Sequence, residues 1–195
     1  MKVAIIKYRA GNVRSVANAF ARLGVEAVIT DDAAELAAAE RVVFPGVGEA
    51  STAMAYLREK GLDKTIAALT QPVLGICLGM QLLCESSDEN DAKCLGILPH
   101  RVRRFAASPG LKVPHMGWSR ITRTRSQLFE GVPDAAFMYF VHGYHLEPGE
   151  HTTAEAEHGS TFSAAVEFRN FYAVQFHPER SGAAGSRVLQ NFLNI

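Results

Sequence analysis

The first 85 residues alternate between short apolar runs and amphipathic segments about four times, which constrains the fold more than any other feature of the chain. The apolar runs Val3–Ile6, Val25–Thr30, Arg41–Phe44 and Val73–Ile76 have the length and composition of buried strands. Between the first two, apolar residues recur at spacings of three and four from Val13 to Leu23, which predicts a helix. Such alternation is typical of a parallel sheet with right-handed crossovers.

The second half of the chain contains short strand-like runs without helices between them. They lie at about 100–105, 111–115, 119–122, 136–141, 152–157, 161–168 and 171–176, before a last helix at about 185–193. The sequence therefore predicts an α/β fold: an open, mixed, mostly parallel central sheet, flanked by helices, with an antiparallel flank in the second half. The 195 residues fit a single domain over 1–195, with weak linker candidates at Ser86–Asp91 and Ala106–Gly110.

Composition narrows the functional classes. Hydrophobic residues make up 48% and charged residues 21%, which excludes wholesale disorder. A formal net charge of zero argues against a nucleic-acid binder, and no apolar stretch is long enough to span a membrane. The N-terminus lacks the pattern of a signal peptide, and three cysteines fit a reducing compartment. We therefore expect a cytoplasmic protein with no nucleic-acid or membrane partner.

Gly75-Ile76-Cys77-Leu78-Gly79 is the most informative pentapeptide, because a strand runs into it and a helix runs out of it. The pattern matches the glycine-flanked nucleophile elbow, with cysteine as the nucleophile. The N-terminus of the following helix would favour the thiolate of Cys77, and the Leu78 N–H could bind a developing oxyanion. The alternative is a buried structural cysteine in a turn.

A cysteine that attacks an amide needs a proton shuttle, and His177-Pro178-Glu179 supplies an imidazole and a carboxylate two positions apart. His177 could act as base and then as acid, while Glu179 holds its tautomer. The alternative is a surface turn. Together with the cysteine elbow, the motif predicts a Cys-His-Glu triad.

Other candidate residues are weaker. Pro45–Gly48 follows the third strand and could present backbone N–H groups beside Cys77, although an ordinary turn is the alternative. Cys84 is expected two turns along the same helix as Cys77, packed in the core, and Cys94 in a loop. His142 and His145 have the spacing of a ligand pair but no acidic or cysteine partner, so no metal site is expected.

By these motifs the chain resembles the class I, triad-type glutamine amidotransferases over nearly its whole length. Segments shared with the class are Pro45–Gly48, Gly75–Gln81 and Gln175–Glu179. Further segments are similar to one branch, the glutaminase subunits of imidazole glycerol phosphate synthases in histidine biosynthesis. They are Gly11-Asn12, Ser15-Val16, Leu95–Ile97, Val113–Trp118, Tyr139–His142 and Tyr144.

The resemblance implies hydrolysis of glutamine to glutamate and ammonia through a γ-glutamyl thioester on Cys77, with no cofactor. The positions that it implies for glutamine or oxyanion binding are Gly46, Val47, Gly48, Leu78, Gln81, His142, Gly143 and Tyr144. It also implies a heterodimer in which ammonia passes to a (β/α)8-barrel cyclase. Residues implied to lie near that interface are Asn12, Trp118, Tyr139 and Arg180.

The chain departs from the branch at Lys7, Arg9, Ser119, Gly143 and Arg180. Gly143 has the largest consequence, because the family usually has Ser or Thr at this position, which contacts the substrate glutamine. Ser119 stands where the family favours Asn, and Arg180 replaces the more common Lys.

Three alternative functions are open. The chain could be a glutaminase of another synthase, such as the pyridoxal phosphate or anthranilate synthase partner, and the segment Val113–Trp118 argues against it. A stand-alone cysteine hydrolase or chaperone-like protein of this sheet type usually has His directly after the Cys, whereas Leu78 follows Cys77. A catalytically silent interaction subunit would not need an intact triad.

Overall fold

The computed structural model describes residues 1–9, 11–106 and 108–195. The strands are β1 (Val3–Ile6), β2 (Ala27–Thr30), β3 (Arg41–Gly46), β4 (Val73–Cys77), β5 (Cys84–Ser87), β6 (Ala92–Lys93), β7 (Leu98–Arg104), β8 (His115–Arg120), β9 (Phe137–His142), β10 (Tyr144–Leu146), β11 (Thr152–His158), β12 (Ser160–Phe168) and β13 (Phe171–Val174). The helices are α1 (Val13–Arg22), α2 (Ala33–Ala37), α3 (Ala50–Glu59), α4 (Leu62–Ala67), α5 (Leu78–Leu83) and α6 (Gly182–Asn194).

The largest sheet has seven strands in the order β11-β12-β13-β4-β3-β1-β2. The pairs β1–β2, β1–β3, β3–β4 and β4–β13 are parallel, whereas β12 pairs antiparallel with both β11 and β13. Four of the five parallel strands come from the alternating first half, and the second half adds the parallel β13 and the antiparallel flank of β11 and β12. The predicted fold class is confirmed.

Two smaller units complete the sheet structure. One is a four-stranded sheet, β10-β7-β5-β6, and the other is the two-stranded ribbon β8–β9. The ribbon lies at the carboxyl ends of β4 and β13: the Val141 carbonyl is 3.7 Å from the Cys77 Sγ, and the Tyr139 carbonyl accepts a hydrogen bond of 2.8 Å from the His177 N–H. This position brings the ribbon to the edge where parallel sheets bind ligands.

The core has two layers, one on each face of the large sheet. Strand β1 is buried on both faces, and its side chains alternate between the layers. Phe44 packs in the layer formed with α3 and α5, while Phe20 and Phe192 pack in the layer formed with α1 and α6. Burial on both faces explains why these strands are continuous apolar runs in the sequence.

Local signals account for the helices of the first half. Val16, Ala19 and Phe20 of α1 are buried, as the spacing of three and four predicts. At α2, the Asp32 side chain caps the helix by accepting a hydrogen bond of 2.8 Å from the Glu35 N–H. None of the helices in the described residues is long and apolar enough to cross a membrane.

The expected continuation of α5 through Cys84 is wrong. The helix ends at Leu83, and Cys84 begins β5. The carbonyls of Leu82, Leu83 and Cys84 accept hydrogen bonds of 2.7–2.9 Å from the backbone of the 95–97 segment. These tertiary hydrogen bonds replace the next helical turn, and no local sequence signal encodes them.

The boundaries of β8 also differ from the prediction. Separate strands at 111–115 and 119–122 are wrong, because one strand covers His115–Arg120 and continues through Gly117. The segment Ser86–Asp91 is not a linker: it holds the end of β5 and a 3-10 turn at Glu89–Asp91. The other linker candidate, Ala106–Gly110, includes Ala107, which lies outside the described residues. The short helix α4 was not anticipated.

Candidate active site

Cys77 lies at a sharp turn between β4 and α5, as the elbow pattern predicts. Its φ of 53° and ψ of −107° are strained values for a residue with a side chain. The neighbouring glycines permit close packing, because a Cβ at Gly79 would overlap the Phe44 carbonyl and one at Gly75 would come within 2.9 Å of the Leu83 side chain. Cys77 also pairs in register with Gly46, so the Pro45–Gly48 loop lies beside the sulfur.

His177 and Glu179 meet just beyond the end of β13, where Pro178–Arg180 forms one 3-10 turn. The His177 Nδ1 lies 2.8 Å from the Glu179 Oε1, and the two side chains are 4% and 0% exposed. Burial lowers the pKa of His177, but hydrogen bonds and charges from Cys77 and Glu179 outweigh it and raise the pKa to about 10. The structure therefore brings the three predicted triad side chains together, and their contacts raise the pKa of the imidazole.

Asn12 makes a fourth contact in this group. Its Nδ2 donates a hydrogen bond of 2.7 Å to the Glu179 Oε1 and lies 3.3 Å from the His177 Nδ1. Burial raises the pKa of Glu179, but the His177 hydrogen bond and charge, together with Asn12, outweigh it and lower the pKa below the ordinary value. Sequence reasoning connected Asn12 only with a partner interface, and its contact with the carboxylate was missed.

A cavity of about 280 Å³ opens in front of the sulfur. It is lined by Val47, Gly48, Cys77, Leu78, Gln81, Glu89, Pro114, Val141, His142, Gly143 and Tyr144. This set contains seven of the eight residues predicted for glutamine or oxyanion binding. The eighth, Gly46, is not among the lining residues, and a Cβ there would meet the Tyr8 hydroxyl and the Leu78 side chain.

Gln81 and Gln175 form an amide pair at the base of the cavity. The Gln81 Nε2 donates hydrogen bonds of 3.0 Å to the Tyr144 carbonyl and to the Gln175 Oε1. The Gln175 Nε2 in turn lies 3.7 Å from the Cys77 sulfur. Gln175 was not predicted as a site residue, although it stands in the same motif as His177.

Glu89 is the charged group that sequence reasoning missed. It lines the cavity, and its Oε2 accepts a hydrogen bond of 2.7 Å from the Ala50 N–H at the start of α3. Burial raises the pKa of Glu89, and the neighbouring Glu49 adds to the shift, against the Ala50 hydrogen bond. The only sequence signal was its place in a supposed linker, which carries no chemistry by itself.

The ribbon presents an aromatic face to solvent. Met116, Trp118 and Phe137 are 66%, 54% and 49% exposed. Trp118 and Tyr139 are cross-strand partners with ring centroids 5.7 Å apart. Because the Tyr139 carbonyl accepts a hydrogen bond from the His177 N–H, strand β9 contacts both this exposed face and the triad.

The remaining histidines do not assemble a metal centre. In the described part of the chain, no three His, Cys, Asp or Glu side chains are arranged to hold a metal ion. The two histidines with the spacing of a ligand pair have different neighbours: the His142 ring lies 3.2 Å from His115, whereas His145 stacks on Phe105 with ring centroids 4.1 Å apart.

Comparisons with known proteins show the family of the chain. The family model "Glutamine amidotransferase class-I" matches residues 4–195. A Bacteroides fragilis protein named imidazole glycerol phosphate synthase subunit HisH is 56% identical over 196 residues, which cover 100% of both chains. A protein of the same name from Xanthomonas euvesicatoria is 47% identical and covers 99% of this chain and 97% of its own.

Solved structures agree at the level of the fold. A glutamine amidotransferase structure superposes with a TM-score of 0.78 at 21% identity, covering 100% of this chain and 98% of its own. A second, from Thermotoga maritima, gives a TM-score of 0.66 at 20% identity over 100% of this chain and 81% of its own.

Proposed function

The chain belongs to the class I glutamine amidotransferases, and from this premise we propose that it is the glutaminase subunit of an imidazole glycerol phosphate synthase. It hydrolyses L-glutamine to L-glutamate and ammonia in histidine biosynthesis. The observation that carries the proposal is the strained Cys77 beside His177, whose Nδ1 lies 2.8 Å from the buried Glu179 carboxylate and whose pKa is raised by its contacts with Cys77 and Glu179. Such an arrangement supplies both a nucleophile and a proton for the leaving amine.

Acylation uses the thiolate of Cys77. Its sulfur attacks the side-chain carbonyl carbon of glutamine, and the carbon–oxygen π electrons move onto the oxygen. The N–H of Leu78, the first residue of α5, has no acceptor within the helix and is available to this oxyanion, with the backbone of the Val47–Gly48 segment beside it. As the intermediate collapses, the carbon–nitrogen bond breaks, His177 gives its proton to the nitrogen, and ammonia leaves from a γ-glutamyl thioester.

Deacylation reverses the roles of the same groups. His177, now neutral, takes a proton from water while the water oxygen attacks the thioester carbon. The carbon–sulfur bond breaks, which releases glutamate and restores the thiolate beside the protonated ring. Throughout, the Glu179 Oε1 fixes the Nδ1–H, so that the Nε2 exchanges protons with the reactants.

Substrate recognition follows from the polar groups on the cavity wall. We assign the substrate α-ammonium group to Glu89, because it is the carboxylate among the residues that line the cavity. Gln81, His142, Gly143 and Tyr144 lie on the wall next to Cys77 and position the rest of the substrate. A Cβ at Gly143 would lie 3.9 Å from Pro114 and Val113, so the wall has room for the side chain that the family usually carries here.

The ammonia is proposed to pass to a (β/α)8-barrel cyclase that binds the ribbon face. The names of the full-length relatives are those of a subunit, which implies a complex. The exposed aromatic side chains of the ribbon, whose strand β9 is hydrogen-bonded to His177, fit such an interface. Arg180 directly follows the triad and is exposed, so it is proposed to lie at the rim of the same face.

The test pairs the chain with a candidate cyclase and measures glutamate release with and without the cyclase's ligand. We expect slow hydrolysis alone and a large stimulation in the complex. Cys77→Ala should abolish glutamine-dependent synthesis while added ammonium salts still support the cyclase, and Cys84→Ala is the matched control, expected to keep activity. Equal loss of glutamine- and ammonia-dependent synthesis in Cys77→Ala would contradict the ammonia-supply role. High activity without a partner would indicate a free-standing hydrolase.

A further inference from the structure

A row of polar groups runs from the cavity wall to the inner face of the ribbon. The His142 Nδ1 is 2.7 Å from the Tyr144 carbonyl oxygen, and its Nε2 is 3.2 Å from the His115 Nδ1. The His115 Nε2 is 2.9 Å from the Ser119 Oγ. Both rings are buried, with 5% and 6% exposure. Each nitrogen therefore has one partner, and none is left to bulk water.

The direction of these hydrogen bonds follows by elimination. A carbonyl oxygen only accepts, so the His142 Nδ1 must carry a proton and donate it to Tyr144. A neutral imidazole has one ring proton, so the His142 Nε2 accepts from the His115 Nδ1–H. The His115 Nε2 then accepts from the Ser119 hydroxyl. Burial lowers the pKa of His142 to about 3 and that of His115 to about 4, which keeps both rings neutral near pH 7.

A bend in β8 makes the outermost hydrogen bond possible. His115 and Ser119 lie four positions apart, and a fully extended strand would separate their Cα atoms by roughly 13 Å. That distance exceeds the reach of the two side chains. Gly117, between them, adopts a φ of 138°, which an L-residue rarely adopts. The glycine bends the strand and places no side chain between the ring and the hydroxyl.

We infer that Ser119, His115 and His142 form one directed hydrogen-bond chain that positions the glutamine-binding edge of the cavity from the strand carrying Trp118. The inference rests on the proposed function. Its inner end is the Tyr144 carbonyl, which also accepts a hydrogen bond of 3.0 Å from the Gln81 Nε2. Its other end is Ser119, whose side chain lies on the face of β8 opposite to the exposed Met116 and Trp118.

The hydrogen-bond chain connects strand β8 of the ribbon to the Tyr144 carbonyl on the cavity wall. A partner bound at Trp118 contacts the strand that also carries Ser119, and a shift of the Ser119 hydroxyl alters the hydrogen bond that it donates to the His115 Nε2. Because each ring has a single proton, loss of one bond leaves the next donor or acceptor with poorer geometry. His115 and Ser119 are thus positioning residues, and the Tyr144 carbonyl is the group that they hold.

Nitrogen-15 NMR of the full-length protein, labelled at histidine, tests the hydrogen-bond chain directly. At pH 7 we expect His115 and His142 to be neutral with the proton on Nδ1. His115→Phe and His142→Phe spectra assign the signals of the two rings. A proton on the Nε2 of His142, or a protonated ring at pH 7, would overturn the inference. These spectra can be recorded without catalysis. A protein that failed to hydrolyse glutamine would therefore contradict the proposed function, whereas the tautomers of His115 and His142 would still test this inference.

Kinetics in the cyclase complex test the consequence for substrate binding. His115→Phe preserves the stacking on Phe140 but removes both hydrogen bonds, and we expect KM for glutamine to rise about two- to tenfold with kcat nearly unchanged. The matched control is His158→Phe, whose ring stacks on His115 at 4.2 Å without belonging to the chain, and it should leave KM unchanged.

A milder pair of variants keeps the test decisive if His115→Phe does not fold. Ser119→Ala removes the outer donor and should raise KM in the same direction by a smaller factor, while Ser119→Thr keeps a hydroxyl and should restore the original value. An unchanged KM in Ser119→Ala together with an unchanged KM in any folded His115→Phe would refute the positioning role.

Discussion

His177 and His142 are both buried beside Cys77, yet their pKa values shift in opposite directions. The pKa of His177 rises to about 10, because its hydrogen bonds and charge interactions with Cys77 and with the Glu179 carboxylate outweigh its burial. The pKa of His142 falls to about 3, because burial, with His115, His145 and His158 nearby, outweighs its hydrogen bond to the Tyr144 carbonyl. Burial alone therefore does not set the charge of a histidine here; the buried counter-charge does.

The opposite pKa shifts fit the different functions of the two histidines. A protonated ring can deliver a proton to a leaving amine, whereas a neutral ring has one donor and one acceptor and can fix the direction of a hydrogen bond. The reactive histidine and the structural histidine thus differ in what lies opposite the ring. Variants that remove a group facing one of these rings should shift its pKa, and the activity or the stability of the protein should change with it.

The largest effect is expected from Glu179→Gln. This change removes the counter-charge but keeps the shape, so the pKa of His177 should fall toward its ordinary range. We expect glutamine hydrolysis to drop about 10³- to 10⁴-fold, as in other triads that lose the carboxylate. Glutamate release and an NMR titration of His177 measure the two effects.

Glu157→Gln, at an exposed position of β11, is the matched control and should leave both quantities unchanged. A Glu179→Gln variant with full activity would mean that the carboxylate does not set the charge of His177.

Asn12→Gly should have the next largest effect. Glycine keeps the φ of 82° that Asn12 adopts but loses the hydrogen bond of 2.7 Å to the Glu179 Oε1. Because that bond goes to a charged and buried oxygen, we expect kcat to fall about 10- to 100-fold with little change in KM. Steady-state kinetics at saturating cyclase measure the change. A rise in KM alone would indicate that Asn12 acts on substrate binding instead.

The neutral histidine should appear in the pH dependence of stability. Below pH 6.5 the unfolded chain binds a proton at position 142 that the folded chain cannot bind until the pH approaches 3. The contribution of the neutral His142 to the free energy of unfolding is therefore fully present above pH 6.5 and is lost as the pH falls toward 3. The free energy of unfolding should therefore decrease by about 1.4 kcal/mol per pH unit from this group between pH 6 and 4.

His142→Phe should remove that part of the slope, which urea unfolding at several pH values can measure. An identical slope in the variant and the unaltered chain would contradict the low pKa.

The smallest effect is expected from Gly143→Ser, next to His142 on the cavity wall. The wall has room for the added side chain, and one hydroxyl contact with glutamine is worth about 0.5–1.5 kcal/mol. KM for glutamine should fall about two- to tenfold while kcat stays the same. Gly149→Ser, at an exposed position outside the cavity, is the control. A higher KM in Gly143→Ser would mean that the serine crowds the substrate.

Much of the fold could be predicted because its signals are local. The apolar runs of β1 and β4 and the periodicity of α1 report burial directly, and the glycines around Cys77 report a turn that admits no Cβ. The same reasoning failed at Cys84, where hydrogen bonds from the 95–97 segment end the helix. It failed at β8 as well, because Gly117 bends the strand without ending it.

In the site, too, some features follow from local sequence signals and others only from tertiary contacts. The sequence by itself determined the identities and spacing of Cys77, His177 and Glu179, since strand, turn and proline signals lie within a few residues of each. Only the tertiary structure decided that Asn12 reaches the carboxylate, that Glu89 reaches the cavity and that one histidine is charged while the other is neutral. Periodicity and steric fit act between near neighbours in the chain, whereas the electrostatics of a buried group depends on whichever distant segments surround it.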